Sequence, residues 1–301
     1  MVHSKSRKIK VPDAPTRNVM KERNISDDLP PLHTLSISVG HKNSGKTLSI
    51  INLLRMYKEE DAVDMVILIS PTYESNFKLF QDINDKVFHI FDPIEDPQSA
   101  KKARDIVKKE ADDWVNYKKQ IRMYEEFKNK VITDDLNEED IEMINMFWSS
   151  EHQDFLKPSH WLGRKPVIHI VFDDIVGTPL MNKNLQSLNN FCLLHRHVGP
   201  LYPEEDGALG CSLYFMTQSY KSKSGTIPKS IRENSSMLMV FWTYNQEMLE
   251  SIALESAGNV SYDDFFKYYK KAFDTDDEPR HSFLLIDFKN SLFKRRFEEI
   301  L

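Results

Sequence analysis

The sequence predicts an α/β fold, a mostly parallel sheet sandwiched by helices, and three observations carry that prediction. Thr34-Leu-Ser-Ile-Ser-Val39 is a short β-branched run leading into Gly40-His-Lys-Asn-Ser-Gly45-Lys46-Thr47, and Leu48 to Arg55 then carries a helical apolar pattern. Strand, glycine loop and helix in that order form the context a phosphate-binding loop (P-loop) requires. Met65-Val-Ile-Leu-Ile-Ser70 and Val167-Ile-His-Ile-Val-Phe172 are near-continuous apolar runs, the mark of parallel strands covered on both faces. Helical patterns alternate with such runs down the chain, as a sheet with helices on its faces demands.

Taken in order, residues 1–31 are polar and basic, with prolines at 12, 15, 30 and 31, and read as an irregular arm. Such an arm is either solvated or laid against DNA or another subunit. The strand at 34–39, the glycine loop and a helix over 46–58 follow. Pro71-Thr-Tyr-Glu-Ser-Asn76 breaks the next strand at its carboxyl end, where ligand loops sit in an α/β sheet. Val87 to Ile90 fits a further short strand. Residues 98–157 change character: Trp114, Tyr117, Ile121, Tyr124 and Val131 recur at helical steps among lysines and acids, and a second helix is expected over 137–147. This stretch reads as a helical insertion in one P-loop domain spanning 32–301, its basic residues forming a solvated face or a DNA-contact surface. Strands are expected at 167–172, 213–216, 237–242 and 282–287, with helices at 185–194, 246–257 and 262–271.

Bulk properties bound the possibilities. A chain of 301 residues, 40% hydrophobic and 29% charged, can bury the core of one large α/β domain. A net charge of −6 advertises no nucleic-acid partner, so DNA would have to meet a local basic patch. Cys192 and Cys211 offer neither a disulfide framework nor metal-ligand spacing, which suits a reducing compartment. The longest apolar runs are strand-sized, short of the roughly 18 residues a membrane span needs. The basic first ten residues lack the apolar stretch of a secretory signal. A soluble intracellular protein, with no membrane partner, is the expectation.

The spacing of the glycine loop has a chemical reason. Gly40 and Gly45 permit backbone angles that turn N–H groups inward, so that Gly40, His41, Lys42, Asn43, Ser44, Gly45, Lys46, Thr47 and Leu48 form an anion cradle at a helix N-terminus. Lys46 is placed to reach the β- and γ-phosphates, and the Thr47 hydroxyl to ligate Mg²⁺. Asp173, ending the 167–172 strand, can hold the same Mg²⁺, and Asp174 can orient or deprotonate the attacking water; alternatively, Asp174 caps the following turn. Asp174-Ile-Val-Gly177 also matches the D-x-x-G string of GTPases, but Asn182-Lys183-Asn184-Leu185 lacks the aspartate of a base-reading N-K-x-D and follows no strand. Gln218, at the tip of the 213–216 strand, either senses the γ-phosphate or is satisfied by backbone. Arg196 and Arg232 are the two candidates for the arginine that stabilises phosphoryl charge across a subunit boundary. His195 and His197 flank Arg196 without a clustered third ligand, which disfavours a metal there. Lys221 and Lys223, in the loop after Gln218, are candidates for DNA phosphates.

Gly40–Thr47, the strand into Ser70-Pro71-Thr72-Tyr73, Val167–Asp174, Arg196-His197, Phe215-Met-Thr-Gln218, Ile227-Pro-Lys-Ser-Ile-Arg232 and Phe283–Asp287 occur in the order found in poxvirus-type genome-packaging ATPases. The chain resembles that family, part of the FtsK–HerA superfamily of DNA pumps in large DNA viruses and virophages, over residues 32–297. The resemblance implies a RecA-like, additional-strand P-loop ATPase, with one strand between the P-loop strand and the Asp173 strand. It implies a homo-oligomeric ring that hydrolyses ATP with Mg²⁺ and drives double-stranded DNA into a preformed capsid, with a capsid or portal-vertex protein as a further partner. It places the protein in the host cytoplasm or a viral factory, or with the virion. Two stretches depart from the pattern: Gly199–Gly210, which lengthens the path from Arg196 to its strand, and the long insertion at 98–157. A helicase or DNA-transfer pump on the same core, and a non-hydrolysing nucleotide-binding scaffold, are the competing functions. A scaffold needs neither Asp174 nor Gln218.

Overall fold

A computed structural model describes residues 25–83, 88–133, 142, 161, 163–221, 227–256, 260–274 and 282–301. The chain runs β1 (Leu35–Val39), α1 (Lys46–Glu59), β2 (Met65–Ile69), α2 (Tyr73–Gln81), β3 (Phe88–Phe91), α3 (Ser99–Thr133) and β4 (Ile168–Asp173). It continues through α4 (Pro179–Lys183), α5 (Leu185–Leu194), a 3₁₀ turn (His195–His197), β5 (Ser212–Thr217), α6 (Lys229–Glu233) and β6 (Met237–Phe241). Helices α7 (Gln246–Glu255) and α8 (Tyr262–Phe273) precede β7 (Phe283–Asp287), β8 (Leu292–Arg295) and β9 (Glu299–Ile300). These strands form one sheet in the order β3-β2-β4-β5-β1-β6-β7-β8-β9.

From β3 to β6 every pairing is parallel, and β7, β8 and β9 join antiparallel. Strand β5 lies between β1 and β4, which is the additional strand expected from the resemblance. Strands β1, β2, β4, β5 and β6 are buried at every position. Because successive side chains face opposite sides, each of these strands supplies two layers. Met65, Ile67 and Ile69 of β2 join Ile168, Ile170 and Phe172 of β4 in a core shared with α3, α5, α7 and α8. Val66 and Leu68 turn the other way, onto Ile50, Ile51, Leu53, Leu54 and Tyr57 of α1 and Phe80 of α2.

The boundaries differ from the sequence reading in three places. Residues 98–157 do not begin as an insertion: Ala100, Ala103, Val107, Ala111 and Trp114 of α3 are buried in the sheet core, so the first turns of α3 are a layer of the sandwich. The helix expected at 137–147 lies outside the described residues, apart from Glu142. Residues 25–31 form no helix or strand, as expected of the arm, but they are not a free tail: Leu29 packs in the α1-side core and the Pro30 carbonyl accepts the Tyr57 hydroxyl at 2.6 Å; residues 1–24 lie outside the described set. Beyond β7, with which the strands expected from the sequence end, the chain doubles back through β8 and β9. The departing stretch Gly199–Gly210 is docked on α3: a Cβ on Gly199, whose φ is +70°, would stand 2.5 Å from that of Ala111. Glu205 accepts from Trp114 Nε1 at 3.1 Å and from Lys165 at 3.1 Å.

Candidate nucleotide site

The glycine loop leaves β1 at the carboxyl edge of the sheet and enters α1. Gly45, at the helix N-cap, has φ 95°, the left-handed region a side chain resists. Gly40 is required for a different reason from the one its spacing suggested. It is not among the positive-φ residues, but a Cβ there would lie 2.5 Å from Phe241 Cβ and 2.8 Å from Ser44 Oγ. Its glycine is a matter of close approach to β6. The Gly40 amide donates to the Thr217 carbonyl at 3.2 Å, tying the loop to the tip of β5. Lys46 is buried, and its Nζ donates to the Gly40 carbonyl at 2.7 Å and the His41 carbonyl at 2.8 Å. Two of its three ammonium protons thus clamp the loop, and one is left for a ligand. Burial lowers the Lys46 pKa, and the nearby charges of Asp173 and Asp174 oppose that shift. Thr47 is half-buried and Leu48 exposed.

Strand β4 delivers the two carboxylates to the same edge. Asp173 is buried, and burial first, then the Asp174 charge, raises its pKa to about 6 against the pull of Lys46 and Asn76. Asn76 of α2 donates through Nδ2 to Asp173 Oδ2 at 3.3 Å, which orients the carboxylate. Asp174 is exposed, with φ 50°, a conformation that costs a non-glycine residue about 1–2 kcal/mol and that Asp tolerates better than most. Its amide still donates to the Met216 carbonyl at 3.2 Å. Gln218 Nε2 lies 3.4 Å and 3.5 Å from the Asp174 carboxylate oxygens. Gln218 is therefore not satisfied by backbone alone; it faces the second aspartate. One buried carboxylate and one hydroxyl, completed by phosphate oxygens and water, are a donor set that suits Mg²⁺, which seldom takes an all-protein cage.

The two arginines part company. Arg196, in the 3₁₀ turn, is exposed and donates through Nε to the His33 carbonyl at 3.2 Å. That carbonyl precedes β1 and the turn precedes β5, so Arg196 stands at the amino edge of the sheet, a strand length of roughly 16–20 Å from its own glycine loop. At that distance Arg196 does not reach the glycine loop of its own chain. Arg232 is corrected: its side chain is 5% exposed, bonded by Nε and Nη2 to Glu255 at 3.0 and 2.9 Å and by Nη1 to the Ile227 carbonyl at 2.6 Å. It also lies over the Tyr220 ring at 5.1 Å. With its fork filled, Arg232 pins α6 to α7 and is not free to meet phosphate. His195 turns both ring nitrogens to backbone carbonyls, Cys192 at 2.6 Å and His33 at 3.1 Å. Among the described residues no group of three or more His, Cys, Asp or Glu side chains is placed to hold a metal. Asn76 was missed from the sequence; its signal was its place in the polar stretch breaking β2.

An additional strand between the P-loop strand and the aspartate strand, with G-x-x-x-x-G-K-T at the tip of β1, defines a P-loop nucleoside-triphosphatase fold. No family model matches the chain, and no curated protein does. Solved structures match. The genome packaging NTPase B204 from Sulfolobus turreted icosahedral virus 2, in complex with ATP-gammaS, is 12% identical, with a TM-score of 0.40, over 89% of this chain and 98% of that one. B204, the DNA-packaging ATPase from Sulfolobus Turreted Icosahedral Virus, is 12% identical at a TM-score of 0.40, over 88% of this chain and 97% of that one. EssC (ATPases 2 and 3) from Geobacillus thermodenitrificans is 12% identical at a TM-score of 0.40, over 73% of this chain and 34% of that one. This chain thus spans about a third of that EssC chain. Among the described residues no helix is long and apolar enough to cross a membrane.

Proposed function

We propose that this chain is an ATP-hydrolysing DNA translocase of the viral genome-packaging kind, working as a homo-oligomeric ring on double-stranded DNA. The observation that carries hydrolysis, against a nucleotide-binding scaffold, is the Gln218–Asp174 pair at the adjacent tips of β4 and β5, on the edge where Lys46 emerges. A scaffold has no use for an exposed carboxylate held in a left-handed conformation beside a buried one. Mg²⁺ held by Thr47 and Asp173 would neutralise charge on the phosphate oxygens. The amides of Gly45, Lys46, Thr47 and Leu48 cradle the phosphates, that of Gly40 being held by the Thr217 carbonyl, and the free proton of Lys46 meets the β- and γ-oxygens. Asp174 accepts the proton of the attacking water, and Gln218, its Nε2 turned to Asp174, orients that water with its carbonyl.

The motif series from Gly40 to Asp287 supports DNA as the load and a packaging role, with a capsid or portal-vertex protein as the docking partner. An exposed Arg196 at the far edge of the sheet suits a ring in which each subunit completes its neighbour's site. Turnover of ATP by the purified chain, with and without double-stranded DNA, tests the reading. Lys46→Ala should lose binding or turnover with the fold intact. Asp174→Asn should keep ATP binding and lose turnover on the order of 10²-fold or more. Unchanged turnover in Lys46→Ala removes the ATPase; DNA that neither binds nor stimulates removes the translocase.

A further inference from the structure

Strand β1 has two neighbours, β5 and β6, and the site uses them unequally. Asp173, Asp174 and Gln218 all stand on the β4–β5 side of the glycine loop. A nucleotide whose γ-phosphate faced those residues would extend its nucleoside end toward β6, the other neighbour of β1. The parallel register pairs Val39 with Val240, and a Cβ on Gly40 would meet Phe241, so Trp242, Thr243 and Tyr244 leave β6 at the same carboxyl edge of the sheet as the loop.

That segment is built as a rigid aromatic ledge. Tyr269 Oη accepts the Thr243 amide at 2.9 Å, Thr243 Oγ1 accepts the Asn245 amide at 3.1 Å, and Asn245 Oδ1 caps α7 through the Met248 amide at 3.0 Å. The Trp242 ring stacks on Tyr269 at 6.0 Å and 12° and meets Phe273 edge-on at 5.1 Å and 70°. Tyr244 stands against Trp242 at 5.8 Å and 85°, and is itself 89% exposed. Leaving so large an apolar ring in water on a fixed backbone forgoes burial that a core position would supply. The same fixity makes it a stacking surface that loses little freedom when a flat ring lands on it.

We propose that Tyr244, braced by Trp242, is the base-stacking platform of the nucleotide site, receiving the purine of a nucleoside triphosphate whose phosphates lie in the glycine loop. The proposal rests on the nucleotide reading of that loop. It gives ATP an anchor that is indifferent to the phosphate chain and sets a preference for purine over pyrimidine triphosphates, because the larger ring system overlaps the phenol more fully.

Binding of ATP, UTP and inorganic tripolyphosphate to the unaltered chain and to Tyr244→Ala and Tyr244→Phe separates the two readings. Tyr244→Ala should weaken ATP on the order of tenfold, the scale of losing one base–aromatic stack, Tyr244→Phe should preserve it, and tripolyphosphate should bind all three chains alike. UTP should bind the unaltered chain more weakly than ATP. ATP binding that ignores Tyr244→Ala overturns the platform while the loop reading stands, as does a loss confined to DNA binding. Failure of both ATP and tripolyphosphate to bind the unaltered chain overturns the loop reading and the platform with it.

Discussion

Lowering the pH from 7 to 5 should cost this fold about 2 kcal/mol through one histidine, His169. The ring is fully buried on β4, with Nε2 at 2.8 Å from the Ala62 carbonyl and Nδ1 at 3.0 Å from the Tyr214 hydroxyl. Those partners fix the neutral tautomer: Nε2–H donates to the carbonyl and Nδ1 accepts from the tyrosine. Burial lowers its pKa to about 4. In the unfolded chain the value returns to about 6.5. As pH falls through 6.5 the unfolded chain takes up the proton first, so the contribution is complete above 6.5 and drains away toward 4. At pH 5 proton uptake by the unfolded imidazole, set against the little the folded one takes up, shifts the folding equilibrium about thirtyfold, which is about 2 kcal/mol at 25 °C. That is a sizeable share of the roughly 5–15 kcal/mol a domain possesses. Urea unfolding at pH 7, 6 and 5 measures it, in the unaltered chain and in His169→Gln, whose amide can still donate toward Ala62. The variant should start less stable and lose about 2 kcal/mol less on acidification. Other titrating groups, including His33, with its pKa lowered to about 3, and Asp173, whose raised pKa acts in the opposite sense, are common to both chains and cancel. Equal losses in the two chains would refute the assignment.

Three further perturbations probe the site's surroundings. Gly40→Ala places a methyl 2.5 Å from Phe241 Cβ, which the strand holds, so it should cost on the order of 1–3 kcal/mol in urea unfolding and weaken ATP binding as the loop shifts; a neutral effect would mean the β6 contact is slack. Arg232→Ala strips Glu255 of a bidentate partner and should lower stability by about 2–4 kcal/mol while sparing residual ATP turnover per folded molecule, whereas a specific turnover loss at full stability would return Arg232 to the site. Arg196→Ala subunits, inactive alone, should regain activity when mixed with Lys46→Ala subunits, since the defects then fall on different sides of an interface; a dead mixture in rings shown to be mixed would exclude Arg196 as the trans-acting arginine.

What the sequence revealed and what it hid follow from the range of the interactions involved. Strand β1, the loop and α1 were legible because the pattern is local, six apolar-leaning residues, a fixed glycine spacing and a helical period. The buried parallel strands were legible because burial on both faces leaves no polar alternation to confuse. Strands β8 and β9 were not, since Leu292–Arg295 buries only Phe293 and mixes Lys and Arg into an antiparallel edge. The core face of α3 was obscured because small residues carry it: Ala100, Ala103 and Ala111 let the helix approach the sheet, and their spacing is quieter than that of the aromatic residues further on. Arg232 misled because its partner, Glu255, is 23 residues away on another helix, and no local pattern announces it. Gly40 was identified for the wrong reason, since a motif shows that a glycine is there but not what presses on it.

The three strand tips that make the site are joined backbone to backbone, and this limits how a phosphate signal can leave it. Gly40 donates to Thr217, Asp174 donates to Met216, and Thr217 Oγ1 both donates to the Ser219 carbonyl at 3.0 Å and accepts the Ser219 amide at 3.3 Å. The main chain on either side of Gln218 is thereby anchored to the glycine loop and to the aspartate strand together. Displacing it by an ångström would break several of these bonds at about 1 kcal/mol or more each, before any gain from the ligand. The Gln218 side chain is under no such restraint: its contacts to Asp174, at 3.4 and 3.5 Å, are long and easily exchanged. A change at the γ-phosphate would therefore be read first as a reorientation of Gln218 against Asp174, on a fixed platform. Tyr220, two residues on, lies under Arg232, which is bonded to Glu255 of α7, the helix that Asn245 caps at the base end of the nucleotide. The residues that would sense phosphate and those that would hold the base are thus connected through Glu255, which pairs with Arg232 at 2.9 Å and with Lys221, three residues past Gln218, at 3.9 Å, and the cost of breaking those pairs sets how independently the two ends of the site can move.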